Sequence, residues 1–183
     1  MNALQAKTLF SICHKAISGQ LAGKEYECSL EEKKLPDAAG IFVTLYLDGD
    51  LRGCIGFTHK IALADGARQA ALYAAFGDPR FAPLSKPEFA KISMEISVLT
   101  EPELIKVKSS DEYPGKVAVG KDGLIVKLHS AQGLLLPQVA TEYGWNSRQL
   151  LEHTCEKAGL DAGSWKEPEC KVYKFQAEVL KES

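Results

Sequence analysis

A guanidinium and a thiol two residues apart, in Leu51-Arg52-Gly53-Cys54-Ile55-Gly56, are the groups in this sequence best placed for chemistry. A cysteine attacks or carries a group as its thiolate, and a nearby cation favours that form. In a strand, alternation predicts Arg52, Cys54 and Gly56 on one face and Leu51, Gly53 and Ile55 on the other. The backbones of Arg52 and Cys54 then lie roughly 6.6 Å apart. For charges about 7 Å apart, Coulomb's law gives ~0.6 kcal/mol in water and ~2.4 kcal/mol at an effective dielectric near 20. The first leaves the thiol protonated at neutral pH; the second brings its pKa to about 7. Gly53 and Gly56 remove side-chain bulk, which makes room for a ligand or for another backbone. The plainer expectation is tight packing, with Cys54 a small buried hydrophobe.

Two further side chains are candidates. Arg80 sits in the proline-punctuated stretch Asp78-Pro79-Arg80-Phe81-Ala82-Pro83-Leu84, a stiff loop of the kind that supports binding groups. Against that stands a simple Asp78–Arg80 contact that holds the turn. Glu95 falls on the outward side of an alternating run, Ile92 to Leu99, whose apolar face is Ile92, Met94, Ile96 and Val98. If that strand pairs with the hairpin, Glu95 approaches the Arg52–Cys54 face, where a carboxylate orients an arginine or moves a proton. Otherwise it is an exposed strand carboxylate.

These residues need elements to position them. Asp48-Gly49 lies between two strand-like runs, and this dipeptide supplies the positive φ angles that a type I′ hairpin turn requires. Ile41–Leu47 and Leu51–Phe57 are therefore predicted as antiparallel partners. Helical spacing predicts a first helix over 2–18 and an alanine-rich one over 61–76, stopped by Gly77. Residues 19–39 read as an irregular arm. In the second half, Val117–Val119 and Leu124–Leu128 flank Gly120-Lys121-Asp122-Gly123, a second predicted hairpin. Gly133–Leu136 reads as a short strand and 138–143 as a helix. Asn146 with Gln149 forms a capping box for a helix that closes at Gly159. Tyr173 to Val179 alternates as a last strand. Both halves thus run hairpin, helix, strand, which implies an α+β chain. Cys13 and Cys155 fall on apolar helical stripes and are expected to pack, while His14 and His153 fall off them.

The 183 residues suffice for one core or two small lobes, here one domain over 1–183 dividing near residue 110. A net charge of −2 gives no general attraction to nucleic acid or to an anionic membrane. No apolar run approaches a membrane span and no secretory signal opens the chain, so a cytoplasmic protein is expected. The odd set of five cysteines contains no C-x-x-C pair, which argues against a disulfide framework and a zinc ribbon. No metal or cofactor is called for. Dinucleotide, P-loop, nucleophile-elbow and zincin motifs are all lacking.

The Leu51–Gly56 motif, the Asp78–Leu84 loop and Glu95-Ile96-Ser97-Val98-Leu99 together resemble the AMMECR-one family. So do Asp122-Gly123-Leu124, Gly133 to Val139, Gly144-Trp145 and Lys157-Ala158-Gly159-Leu160. The resemblance implies a curved antiparallel sheet with flanking helices and two similar halves. It also implies a Memo-like protein and a radical SAM protein as partners, and it carries no assigned reaction. Its signature falls on Arg52 and Cys54, with Arg80 and Glu95 carried over by motif. Two functions follow. In one, Cys54 is the nucleophile or thiol carrier of a modification system, Arg52 steadies the thiolate or binds an anion, and Arg80 and Glu95 shape the pocket. In the other, the Arg52 face of a non-catalytic adaptor docks a protein partner or a small anionic ligand. A redox-sensing Cys54 ranks last, since no resolving cysteine lies near it in sequence.

Overall fold

The computed structural model describes residues 1–182 and divides into two units, Met1–Leu99 with the chain end from Glu178, and Thr100–Ala177. The first unit opens with helix α1 (Ala3–Leu21), whose Leu9, Ile12, Cys13, Ala16 and Ile17 are buried. Asn2 caps it, in a reciprocal capping box with Gln5. The arm that follows is tied back by Glu32, whose carboxylate accepts from Lys15, Tyr26 and the Ser29 amide. Strand β1 (Asp37–Ala38) then leads into the hairpin β2 (Gly40–Leu47) and β3 (Asp50–Phe57). Its turn has positive φ at Asp48 and Gly49, as a type I′ turn demands.

A two-residue strand β4 (Ile61–Ala62) pairs with β1, so helix α2 begins at Leu63 rather than 61 and runs to Phe76. Ala64, Ala67, Ala70, Ala71, Ala74 and Ala75 of α2 are all buried. Their small side chains bring the helix close to α1, β2 and β3. After the loop and the single turn α3 (Lys86–Phe89), strand β5 (Ile92–Leu99) pairs antiparallel with the far side of β2. Ile41, Val43 and Leu45 of β2 with Met94 and Ile96 of β5 form the core face.

In the second unit, β6 (Glu103–Leu104) and the helical turn α4 (Tyr113–Lys116) precede the hairpin β7 (Asp122–Leu128) and β8 (Ala131–Leu135). This corrects the sequence expectation. Gly120 makes a turn, but 117–119 forms no strand, and the hairpin closes instead at His129, whose φ is positive. The connection carries no Asn-Gly or Asp-Gly signal, which is why it was not legible. Helices α5 (Pro137–Glu142) and α6 (Ser147–Lys157) follow, the latter capped by Asn146 and Gln149 as expected. Strand β9 (Lys171–Lys181) pairs antiparallel with β7 and β6, and its last residues belong to the first unit. Trp165, Leu150, Leu151 and Cys155 are fully buried here. The chain is α+β, with antiparallel sheet, flanking helices, and hairpin, helix and strand in the same order in each unit. No helix among the described residues is long and apolar enough to cross a membrane.

Candidate functional site

The hairpin that carries the motif is not a regular ladder. Leu47 and Tyr46 face Asp50 and Leu51, but Leu45 faces Gly53 and Thr44 faces Cys54. Arg52 is therefore the extra residue of a β-bulge, a device that re-aims side chains. Without it, Cys54 would stand opposite Val43, on the core side. With it, Cys54 stands opposite Thr44, on the face turned away from the helices. The expected sharing of faces by Leu51 with Gly53, and by Arg52 with Cys54, fails for this reason.

Arg52 is accordingly not the thiol's partner. Its Nε donates to Glu88 Oε1 at 2.9 Å and its Nη2 to the Ala82 carbonyl at 2.8 Å. Its guanidinium lies 5.7 Å from the centre of the Phe81 ring. Only 11% of the side chain is exposed, and its buried Nη1 meets no acceptor among the described residues. Hydrogen bonds from Arg52 and from Ser85 pull the Glu88 carboxyl down to about 2. Arg52 thus ties β3 to the loop and to α3.

The cation beside Cys54 is Arg80. Its Nε and Nη2 grip Asp78 at 2.9 and 2.7 Å, and Nη2 also reaches the Cys54 carbonyl at 3.4 Å. Asp78, 4% exposed, accepts the Cys54 amide on Oδ2 at 2.9 Å. The Arg80 fork holds the Asp78 carboxyl far below the usual carboxylate range. Arg80 is half exposed and lies 5.4 Å from the centre of the same Phe81 ring. Both arginines of the site therefore bracket one aromatic ring, and each is matched by its own carboxylate.

Cys54 is partly buried, and its sulfur accepts a hydrogen bond from Thr44 Oγ1 at 3.2 Å. Burial pushes the thiol pKa up, and this outweighs the help that Thr44 and Arg80 give the thiolate; Asp78 and Glu95 add to the rise. The sequence estimate let burial strengthen an Arg52–thiolate attraction. Desolvation of the thiolate itself is larger and opposite in sign.

Glu95 stands directly across from Thr44, so Cys54, Thr44 and Glu95 form one row over β3, β2 and β5. Two strand spacings, roughly 9.5 Å, separate the backbones of Cys54 and Glu95. Glu95 is 12% exposed and meets Lys181 at 3.5 Å. The space at the two glycines is filled by protein. A Cβ on Gly53 would lie 2.1 Å from the Ala74 carbonyl oxygen of α2, and one on Gly56 would lie 2.2 Å from the Ile41 carbonyl oxygen. Gly53 is where the helix touches the strand.

Sequence reasoning missed Thr44, Phe81 and Glu88 as members of this cluster, and it had Asp78 only as the Arg80 contact that holds the turn, a contact the structure contains. Asp78 and Phe81 were in view beside Arg80; Thr44 was hidden by the bulge, which the Asp48-Gly49 register does not announce. The second unit holds an open cleft of about 430 Å³, lined in part by Glu103, Asp122, Lys174 and Gln176, and none of the candidate site residues Arg52, Gly53, Cys54, Gly56, Arg80 and Glu95 lies on it. Among the described residues, no three of His, Cys, Asp and Glu gather as a metal ion would require.

The fold and this cluster define an α+β protein whose marked feature is a bulged edge strand clasped by an Asp-Pro-Arg-Phe loop. Residues 10–180 match the AMMECR1 family, and the chain belongs to it. A protein of Methanothermobacter thermautotrophicus is 45% identical over 97% of this chain and 94% of its own length. Protein MJ0810 of Methanocaldococcus jannaschii is 43% identical over 91% and 84%. The crystal structure of uncharacterized protein PH0010 from Pyrococcus horikoshii superposes with a TM-score of 0.91 at 41% identity, covering 100% of this chain and 94% of that one.

Proposed function

We propose that this chain is a binding component of a larger modification system, presenting Cys54 at the β3 edge and the exposed loop 79–83 beside it to its partner, with Cys54 a neutral thiol. The observation that carries the reading is the local charge balance. Arg52 is committed to Glu88, and Arg80 is matched by Asp78, so the help Arg80 gives the thiolate is outweighed by burial and by the Asp78 charge. A motif built this way suits recognition by shape and hydrogen bonding better than attack on a substrate. The resemblance stated above suggests a Memo-like protein or a radical SAM protein as the partner. The net charge of −2 offers no general attraction for nucleic acid or an anionic membrane.

A second reading keeps Cys54 as nucleophile or thiol carrier, and one observation favours it. The residue is only partly buried, and both the Thr44 hydroxyl and Arg80 ease ionisation of its thiol. Iodoacetamide alkylation against pH separates the two, with Cys54→Ser as the blank. The binding reading expects slow alkylation at pH 7, a midpoint above the ordinary thiol value of about 8.5, and retained partner capture by Cys54→Ser. A midpoint below about 7.5, with capture lost in Cys54→Ser, would hand the site to covalent chemistry.

A further inference from the structure

We infer that Asp78 and Arg80 together stand in for a missing strand, occupying the open edge of β3 at Cys54, and that Asp78 is a positioning residue of the site. The inference rests on Cys54 and the loop beside it being the working surface, as proposed above, and adds to it the part that holds that surface still.

Among the described residues β3 ends the strand order, with β2 as its neighbour on one side and no strand on the other. Antiparallel partners alternate between pairs that exchange two backbone bonds and pairs that exchange none. Cys54 sends its amide to Asp78 and receives Arg80 on its carbonyl, so Thr44–Cys54 is a pair of the second kind. Its backbone groups therefore point outward, where an added strand would supply one acceptor and one donor.

Asp78 Oδ2 supplies the acceptor and Arg80 Nη2 the donor, and the two-bond fork between them makes the pair one rigid piece. The chain delivers that piece by construction. Helix α2 touches β3 at Gly53 and ends one residue before Gly77, so Asp78 emerges beside the strand edge. The loop is then drawn back by the Leu84 amide, which donates to the Ala75 carbonyl at 2.8 Å. An exposed edge is a template for pairing with other chains. The clasp closes it at Cys54, so a partner must meet side chains rather than extend the sheet there. Because carboxylate and guanidinium cancel, the edge is closed without placing net charge beside the thiol.

The test is backbone amide exchange by NMR on the full chain, with Ile55 as internal reference, because its amide lies within the β2–β3 ladder. In Asp78→Ala, Cys54 exchange is expected to quicken at least tenfold relative to Ile55, with the rest of β2 and β5 unchanged. In Asp78→Asn, which keeps the shape and one acceptor, Cys54 exchange quickens less. The pH midpoint of Cys54 alkylation falls in that variant, because Arg80 is left unopposed beside the thiol, whereas a looser loop changes the limiting rate and not the midpoint. Equal quickening at Cys54 and Ile55, or no change at Cys54 in either variant, overturns the inference. If Asp78→Ala does not fold, Asp78→Asn decides alone. These measurements need no partner, so partner capture lost from wild type under native conditions would defeat the binding proposal while leaving the clasp intact.

Discussion

At Cys54, two arginines compete for the role of activating cation, and geometry settles which has it. Arg80 reaches the Cys54 carbonyl, whereas Arg52 is committed to Glu88 and the Ala82 carbonyl. Arg80→Gln should therefore move the alkylation midpoint of Cys54 further up, because the cation that eases ionisation is lost. Arg52→Gln should leave that midpoint in place and instead lower stability by about 1–3 kcal/mol, since Glu88 loses its charged donor. Alkylation profiles paired with urea denaturation give both numbers for each variant. A midpoint that moves with Arg52 and not with Arg80 would reinstate the simple alternation of the motif. Thr44 belongs to the same argument: Thr44→Val removes the hydroxyl that donates to the sulfur at 3.2 Å, so the midpoint rises there too.

The elements explain how a plain hairpin becomes this site. Close approach of α2 to β3 depends on a hydrogen atom at Gly53, where any Cβ meets the Ala74 backbone at 2.1 Å. Gly53→Ala should cost about 3 kcal/mol, since the helix rather than a flexible side chain must move. Gly115→Ala in α4, with nothing within 4 Å, should cost nothing measurable; urea midpoints of the two variants make the comparison. The same elements show what could be read beforehand. The Asp48-Gly49 turn, the alternation of Ile92–Leu99, the alanine face of α2 and the Asn146–Gln149 box are local signals, and each produced its element. The bulge at Arg52 is not local. It arises because Gly53 must face α2 and Cys54 must leave the core side, demands set by packing partners far along the chain. Its consequence was a wrong pairing of Arg52 with Cys54, and with it the wrong sign for the thiol. The hairpin at His129 was missed for a related reason: a residue with an ordinary side chain takes the positive φ there, held by the pairing of β7 with β8.

Across the whole molecule, acid sensitivity should be concentrated in one place. Glu32, Asp78 and Glu88 are each held below the usual carboxylate range, and all three lie in the first unit. For Glu32, burial opposes the charge, but hydrogen bonds from Tyr26, Ser29 and Lys15 outweigh it and bring the carboxyl to about 2. A folded pKa lowered in this way contributes stability that is fully present above the unfolded value of about 4.3. That stability drains away as pH falls toward the folded value of about 2. From pH 5 to pH 2.5, Glu32 alone accounts for a loss on the order of 2 kcal/mol, and Glu88 for less because it is more exposed to solvent. Both tryptophans, Trp145 and Trp165, belong to the second unit, while Cys13 is fully buried in the first. Acid titration should then expose Cys13 to an acid-tolerant disulfide reagent at a pH where tryptophan emission is still native. Glu32→Gln should flatten that pH dependence while lowering stability at pH 7, because the neutral side chain keeps the contacts but loses their charge assistance. Coincident loss of Cys13 protection and native tryptophan emission, unchanged in Glu32→Gln, would place the acid-labile groups elsewhere in the chain.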